Sequence, residues 1–119
     1  MKVHMDGPFF TFLTQSRYPL GIIVLMPEVE FLLDDGTVGE ALVCHAMGYW
    51  GQVDDDLERA NDEALKEGGP LMSLWRRLAR ETPFRNITEA DRRNTFVMLE
   101  SEYPEYEAGR VCTLGRDNG

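Results

Sequence analysis

Apolar positions in this 119-residue chain fall into short runs, some unbroken and some at helical spacing, and their order predicts an alternation of helices and strands. Gly21 to Met26 reads Gly-Ile-Ile-Val-Leu-Met with no polar alternation, which predicts a strand covered on both faces. Pro27 then opens Pro-Glu-Val-Glu-Phe-Leu-Leu-Asp-Asp-Gly. A proline at the first helical position, acids in the first turn and Gly36 at the end predict a short helix with Val29, Leu32 and Leu33 buried. Thr37-Val-Gly-Glu40 has the spacing of a capping box, so a second helix is expected from Thr37, with Val38, Ala41, Leu42 and His45 as its buried stripe and Gly48 as its end. Asp54-Asp55-Asp56 starts a third. There Asp55 and Glu58 have cap-box spacing, Leu57, Ala60, Ala64 and Leu65 form the stripe, and Gly68-Gly69 stops the helix.

Beyond Pro70 the pattern shortens. Leu71 to Arg80 fits a helix through Leu71, Leu74, Trp75 and Leu78, and tolerates a strand. Phe84 to Thr88 and Thr95 to Leu99 read as strands joined by a capped turn at Thr88-Glu-Ala-Asp91. Ser101 to Glu107 reads as a turn and Arg110 to Leu114 as an edge strand. At the other end, residues 8 to 14 (Pro-Phe-Phe-Thr-Phe-Leu-Thr) suit either a strand or a mobile arm that docks on a partner. No repeat or linker interrupts the chain, so residues 1–119 are expected to form one domain with an amino-terminal arm over 1–14 and a fraying tail over 115–119.

Charge changes this picture more than composition does. The net charge is −9, from 21 acids and 12 bases. Residues 28 to 67 hold twelve acids against Arg59 and Lys66, a balance of −10, whereas residues 71 to 93 hold six arginines against three acids, a balance of +3. The amino end contributes +1 and the residues after Arg93 contribute −3. This excess argues against nucleic acid as a partner, because phosphate binding draws on lysine and arginine releasing counterions. An acidic helical face instead suits a protein partner of basic character. The two cysteines, Cys44 and Cys112, lack zinc-site spacing. The apolar stretch from Leu20 to Leu33 is broken by Pro27, Glu28 and Glu30 and is too short to span a membrane. With no signal-peptide pattern in the first twenty residues, a cytoplasmic protein is expected.

Few residues suggest chemistry. Cys44 and His45 are adjacent, so on a helix they point about 100° apart and cannot form a dyad with each other; a hydrogen-bonded structural histidine and a small apolar cysteine are the expected roles. The acids at 54–56, with Glu58 and Asp62, lack the alternation and central glycine of a calcium loop, and helix capping accounts for them. No metal ligand set and no cofactor is expected. Glu89 and Asp91, with Arg85, Arg92 and Arg93, form either a pocket edge or a salt-bridged turn. Gly48-Tyr49-Trp50-Gly51 sets two glycines around two aromatics, which delivers a ring inward as a core anchor or as the wall of a pocket.

These segments also resemble something known. His45-Ala-Met-Gly-Tyr-Trp-Gly51, Val53-Asp54, Arg59-Ala-Asn-Asp-Glu-Ala-Leu65, Glu67-Gly-Gly69 and Leu71-Met-Ser73 resemble a family of small bacterial proteins labelled plasmid-related. That family shares a His-x-x-Gly-Asp-Trp-Gly core followed by an Ala-Asn-Asp-x-Ala-Leu helix. Ile87-Thr-Glu-Ala-Asp-Arg92, Thr95 and the stretch from Leu99 to Tyr103 extend the resemblance over residues 20 to 103. Tyr49 stands where the family pattern has aspartate, and Thr82 to Asn86 departs from an apolar strand. The resemblance implies a gene on a mobile element and a strand over 71 to 78; the family has no established activity and transfers no catalytic residue.

The expectation is therefore an α+β domain, an antiparallel sheet of three to five strands packed on the helices of residues 28–67. Its function is expected to be that of a non-enzymatic protein-interaction module forming homo-oligomers through Phe9, Phe10 and Phe12 or through Tyr103 and Tyr106. The alternative is a small-molecule pocket or simple enzyme built from His45, Trp50, Glu89, Asp91 and Arg92.

Overall fold

A computed structural model describes residues 17–76 and 80–109. In chain order the elements are β1 (Ile22–Leu25), α1 (Pro27–Leu32), α2 (Asp35–Ala46), α3 (Asp55–Glu67), β2 (Leu71–Trp75), β3 (Phe84–Thr88) and β4 (Asn94–Leu99). A 3-10 turn, Glu100–Glu102, follows and runs on into a helix over 103–109. The sheet order is β1-β4-β3-β2. β2, β3 and β4 form an antiparallel meander, while β1 adds to β4 in parallel, Ile23 opposite Thr95 and Leu25 opposite Val97. The fold is thus α+β with a mixed, mostly antiparallel sheet.

Alternation along the strands sorts the core. Ile23, Leu25, Leu71, Phe84, Val97 and Leu99 face the helices and are all buried with Val29, Val38, Ala41, Leu42, Ala46 and Ala64. The opposite face carries Ile87 and Met98, covered by Tyr106 of the last helix. Residues 8–14 and 110–114, with Phe9, Phe10, Phe12 and Cys112, lie outside the described residues.

Several expectations need correction. The strand expected to be covered on both faces is an edge strand with Ile22 48% exposed. α1 ends at Leu32 and not at Gly36, because Asp34 caps α2 by accepting from the Thr37 amide at 2.7 Å. The cap is therefore Asp34, three residues before Thr37, and the short α1 leaves Leu32 55% exposed instead of buried. Asp54, not Asp55, caps α3, accepting from the Leu57 amide at 2.8 Å. Within α3, Ala60 faces solvent and Asn61 is 1% exposed. Ser101 to Glu107 is helical, not a turn. Glu102 fixes its start, its carboxylate accepting from the amides of Leu99 and of Glu28, both at 3.0 Å, which ties this turn to the first turn of α1.

Asn61 has a specific task. Its side-chain amide donates to Met72 O at 2.8 Å and accepts from Met72 N at 3.0 Å, as a neighbouring strand would. Leu74 bonds in the same way to Trp50 O and Gln52 N, and Arg76 N donates to Gln52 Oε1. The outer edge of β2 is therefore closed, which removes a site for edge-to-edge pairing. The close approach explains Gly51, at φ +73, where a Cβ would stand 2.1 Å from Leu74 O.

Candidate functional site

α2 carries His45 against the centre of the sheet, where it has no exposed surface. Its Nδ1 lies 2.7 Å from Ser73 Oγ and its Nε2 lies 2.9 Å from Thr88 Oγ1. The chain of bonds continues on both sides. Trp75 Nε1 donates to Ser73 Oγ at 2.7 Å, Thr88 Oγ1 and Thr95 Oγ1 are 2.7 Å apart, and Thr95 donates to Leu20 O at 2.7 Å. Burial, and then the Arg92 charge, push His45 down to about 3. The imidazole is neutral, enclosed and bonded at both nitrogens, so it has no free lone pair for a metal or a substrate proton.

Trp50 is 6% exposed and meets the His45 ring edge-on at 5.5 Å, and Tyr18 stacks on Trp50 at 6.4 Å. Tyr18 also donates its hydroxyl to His45 O. His45 and Trp50 are thus brought together in packed core. Arg92 stands nearby at φ +60, its guanidinium 5.7 Å from the Tyr18 ring centre. It donates to the carbonyls of Gly69 at 2.6 Å and Ala64 at 3.2 Å, at the carboxy-terminal end of α3, where a cation complements the helix dipole. Glu89 turns elsewhere, accepting from Asn94 Nδ2 and Tyr106 OH, both at 3.3 Å. Asp91 is exposed in the turn and accepts from the Arg93 amide at 3.0 Å. The five residues do not converge on one cavity.

On the other face of the sheet, Tyr106 is 8% exposed and packs against Phe96 at 5.2 Å. Tyr103 lies under the Arg85 guanidinium at 3.7 Å, and Arg85 pairs with both oxygens of Glu100 at 2.5 and 2.6 Å.

Among the described residues a cleft lies along the other side of α2, from Asp34 to Cys44. It has a volume of about 360 Å³, between α1, α2 and the β2–β3 pair, with Leu33, Ala41, Trp75 and Phe84 as apolar lining. Its rim carries both signs of charge, from Asp34, Glu40 and Glu81 against Arg76 and Arg80. Cys44 reaches it with a thiol raised above its usual range by burial and then by Glu40, which suppresses the reactive thiolate. Leu32 lines the lip, and the adjacent Phe31 is 82% exposed. None of the five pocket candidates lines this cleft. The sequence did carry a signal for it: Phe31-Leu32-Leu33 puts more apolar surface on a six-residue helix than that helix can turn inward alongside Val29.

Among the described residues no group of three His, Cys, Asp or Glu side chains could hold a metal ion, and no helix is long and apolar enough to cross a membrane. Comparison of the chain with protein-family models, with curated proteins and with solved structures gives no match.

Proposed function

We propose that the protein is a non-enzymatic, acidic protein-interaction module that associates with itself, acting in the cytoplasm and encoded on a mobile element. The sequence resemblance supports the mobile-element origin. The interaction reading rests on the lip of the cleft, where Phe31 is 82% and Leu32 55% exposed. Covering such a side chain is worth roughly 1.5–3 kcal/mol, and apolar surface at the edge of a concavity is where partners dock. The exposed acids of α3, Asp55, Asp56, Glu58, Asp62, Glu63 and Glu67, support a second contact with a basic protein.

Sedimentation equilibrium tests self-association. The average mass rises above 13.6 kDa with concentration, and Phe31→Ser combined with Leu32→Ser lowers it towards that value. A mass fixed at that of one chain at every concentration rules the reading out.

A further inference from the structure

Phe31 follows Val29 by two residues on α1, and two helical steps of about 100° turn it away from the face that Val29 buries. Val29 is 1% and Phe31 82% exposed. The ring therefore does not occupy the cleft of its own chain, although Leu32, the next residue, lines the lip. Its surroundings are acidic. Glu28, Glu30 and Asp35 are exposed, and residues 28–35 hold four acids and no base. The lip thus presents an aromatic knob ringed by carboxylates.

The cleft beside it has the complementary character. Leu33, Ala41, Trp75 and Phe84 supply an apolar floor in a volume of about 360 Å³, and a cavity of about 150 Å³ already holds a benzene ring. On the side formed by the β2–β3 connection the rim carries Arg76 and Arg80, both exposed. Among the described residues neither arginine has an ion-pair partner. Glu40, Glu81 and Asp34 share the rim, but Asp34 has both oxygens engaged by Thr37, at 2.7 Å to the amide and 3.1 Å to the hydroxyl. The receptor therefore offers an apolar floor and two uncommitted cations at one edge.

We propose that a second copy of this chain docks on the cleft, each copy seating its Phe31 on the Trp75 and Phe84 floor of the other. Knob and cleft lie side by side, so a two-fold axis at the lip makes both insertions at once and closes the assembly as a dimer. The acids around each ring then meet the arginines of the receiving rim, and this charge match sets the orientation. An unrelated basic partner would match the acids alone; a second copy uses the ring, the cleft and the arginines together. The inference rests on the self-association reading and assigns its contact surface.

Cys44 supplies the test, because it lines the cleft and reports when the cleft is covered. The reporter chain carries Phe31→Ser and Cys112→Ser, so that it has the cleft and one thiol but no knob. It is titrated with a chain carrying Cys44→Ser and Cys112→Ser, which keeps Phe31, or with the same chain also carrying Phe31→Ser. The rate of Cys44 alkylation by N-ethylmaleimide is expected to fall several-fold with the Phe31-bearing titrant and to stay constant with the other. Equal rates with the two titrants, at concentrations where sedimentation shows the Phe31-bearing chain associating, overturn this proposal and leave self-association standing. A Phe31-bearing chain that stays at the mass of one chain throughout removes both. Arg76→Glu with Arg80→Glu in the reporter is expected to raise the titrant concentration needed several-fold. A reporter with both arginines reversed that is protected as well as its parent contradicts the placement of the acid-flanked ring at that rim.

Discussion

His45 Nε2 stands 2.9 Å from Thr88 Oγ1, and the bonds around this pair leave the imidazole proton one place to sit. Leu20 O can only accept, so the hydroxyl hydrogen of Thr95 goes to it. Thr88 must then donate to Thr95, and its oxygen accepts from His45 Nε2–H. At the other end Trp75 Nε1 can only donate, so Ser73 accepts from the indole and gives its own hydrogen to His45 Nδ1. Long-range ¹H–¹⁵N correlation spectra should show His45 as the Nε2–H tautomer, without titration through neutral pH. A protonated Nδ1 would contradict the assigned directions of the Ser73–His45 and His45–Thr88 bonds.

Stability follows from the same ring. His45 titrates near 6.5 when unfolded and near 3 when folded, so between these values the unfolded chain holds more protons and folding weakens as pH falls. The contribution is complete above about pH 6.5 and is lost as pH drops through 3. At about 1.4 kcal/mol per pKa unit it is of the order of 3–5 kcal/mol. Urea unfolding at a series of pH values should show this loss, and His45→Gln should have a shallower slope over the same window. Equal slopes in the two proteins would show that His45 is not the titrating group.

Asn61 replaces a strand, and its loss should be felt in two ways. Asn61→Ala removes a donor and an acceptor from Met72 and leaves both backbone groups without their partner, at a cost of about 2–4 kcal/mol. Asn61→Asp keeps the acceptor and should cost less at a pH where the carboxylate is neutral than where it is ionised. Because the alanine variant also reopens the edge of β2, it should aggregate sooner on partial unfolding, as light scattering would show.

Asn86 has the opposite character. It is fully buried on the helix-facing side of β3 between Phe84 and Thr88, and neither polar atom of its side chain has a hydrogen-bond partner among the described residues. Replacing an unpaired buried amide by an apolar group of similar shape removes a desolvation cost of about 1–3 kcal/mol. Asn86→Leu is therefore expected to raise the urea midpoint without changing the slope of the transition. A lower midpoint would mean that the amide is satisfied in solution.

The sequence was most legible where one residue type determines one local outcome. Pro27 at a helix start, aspartate ahead of α3, Gly48 at φ +85 and Gly68 at φ +94 all mark boundaries that backbone sterics and unpaired amides impose before any tertiary contact forms. The stripe Val38, Ala41, Leu42 and His45 was legible for the same reason, and all four are buried. Choices between neighbours were not. Asp34 and Thr37 both cap well, and the winner is the one whose oxygen reaches the amide three residues on. Asn61 was absent from the expected stripe because the backbone groups of Met72 that it bonds lie across the fold on β2. Glu89 and His45 looked like members of one site because nothing in their spacing shows that Glu89 bonds Tyr106, which covers the sheet face opposite the helices.

By itself, then, the sequence indicated the α+β class, the three helices and the strands at 84–88 and 95–99, since periodicity and caps act over a few residues, while Leu71 to Arg80 stayed open between helix and strand. It also placed His45 on the core side of its helix. Only the tertiary structure decided that β1 joins β4 in parallel, that Asn61 and the backbone from Trp50 to Gln52 close the free edge of β2, and that the concavity lies beside Phe31 and not around Trp50. The physical reason is range: a cap or a stripe is satisfied by near neighbours, whereas an edge, a buried hydrogen-bond chain and a cleft exist only once segments distant in the chain have packed.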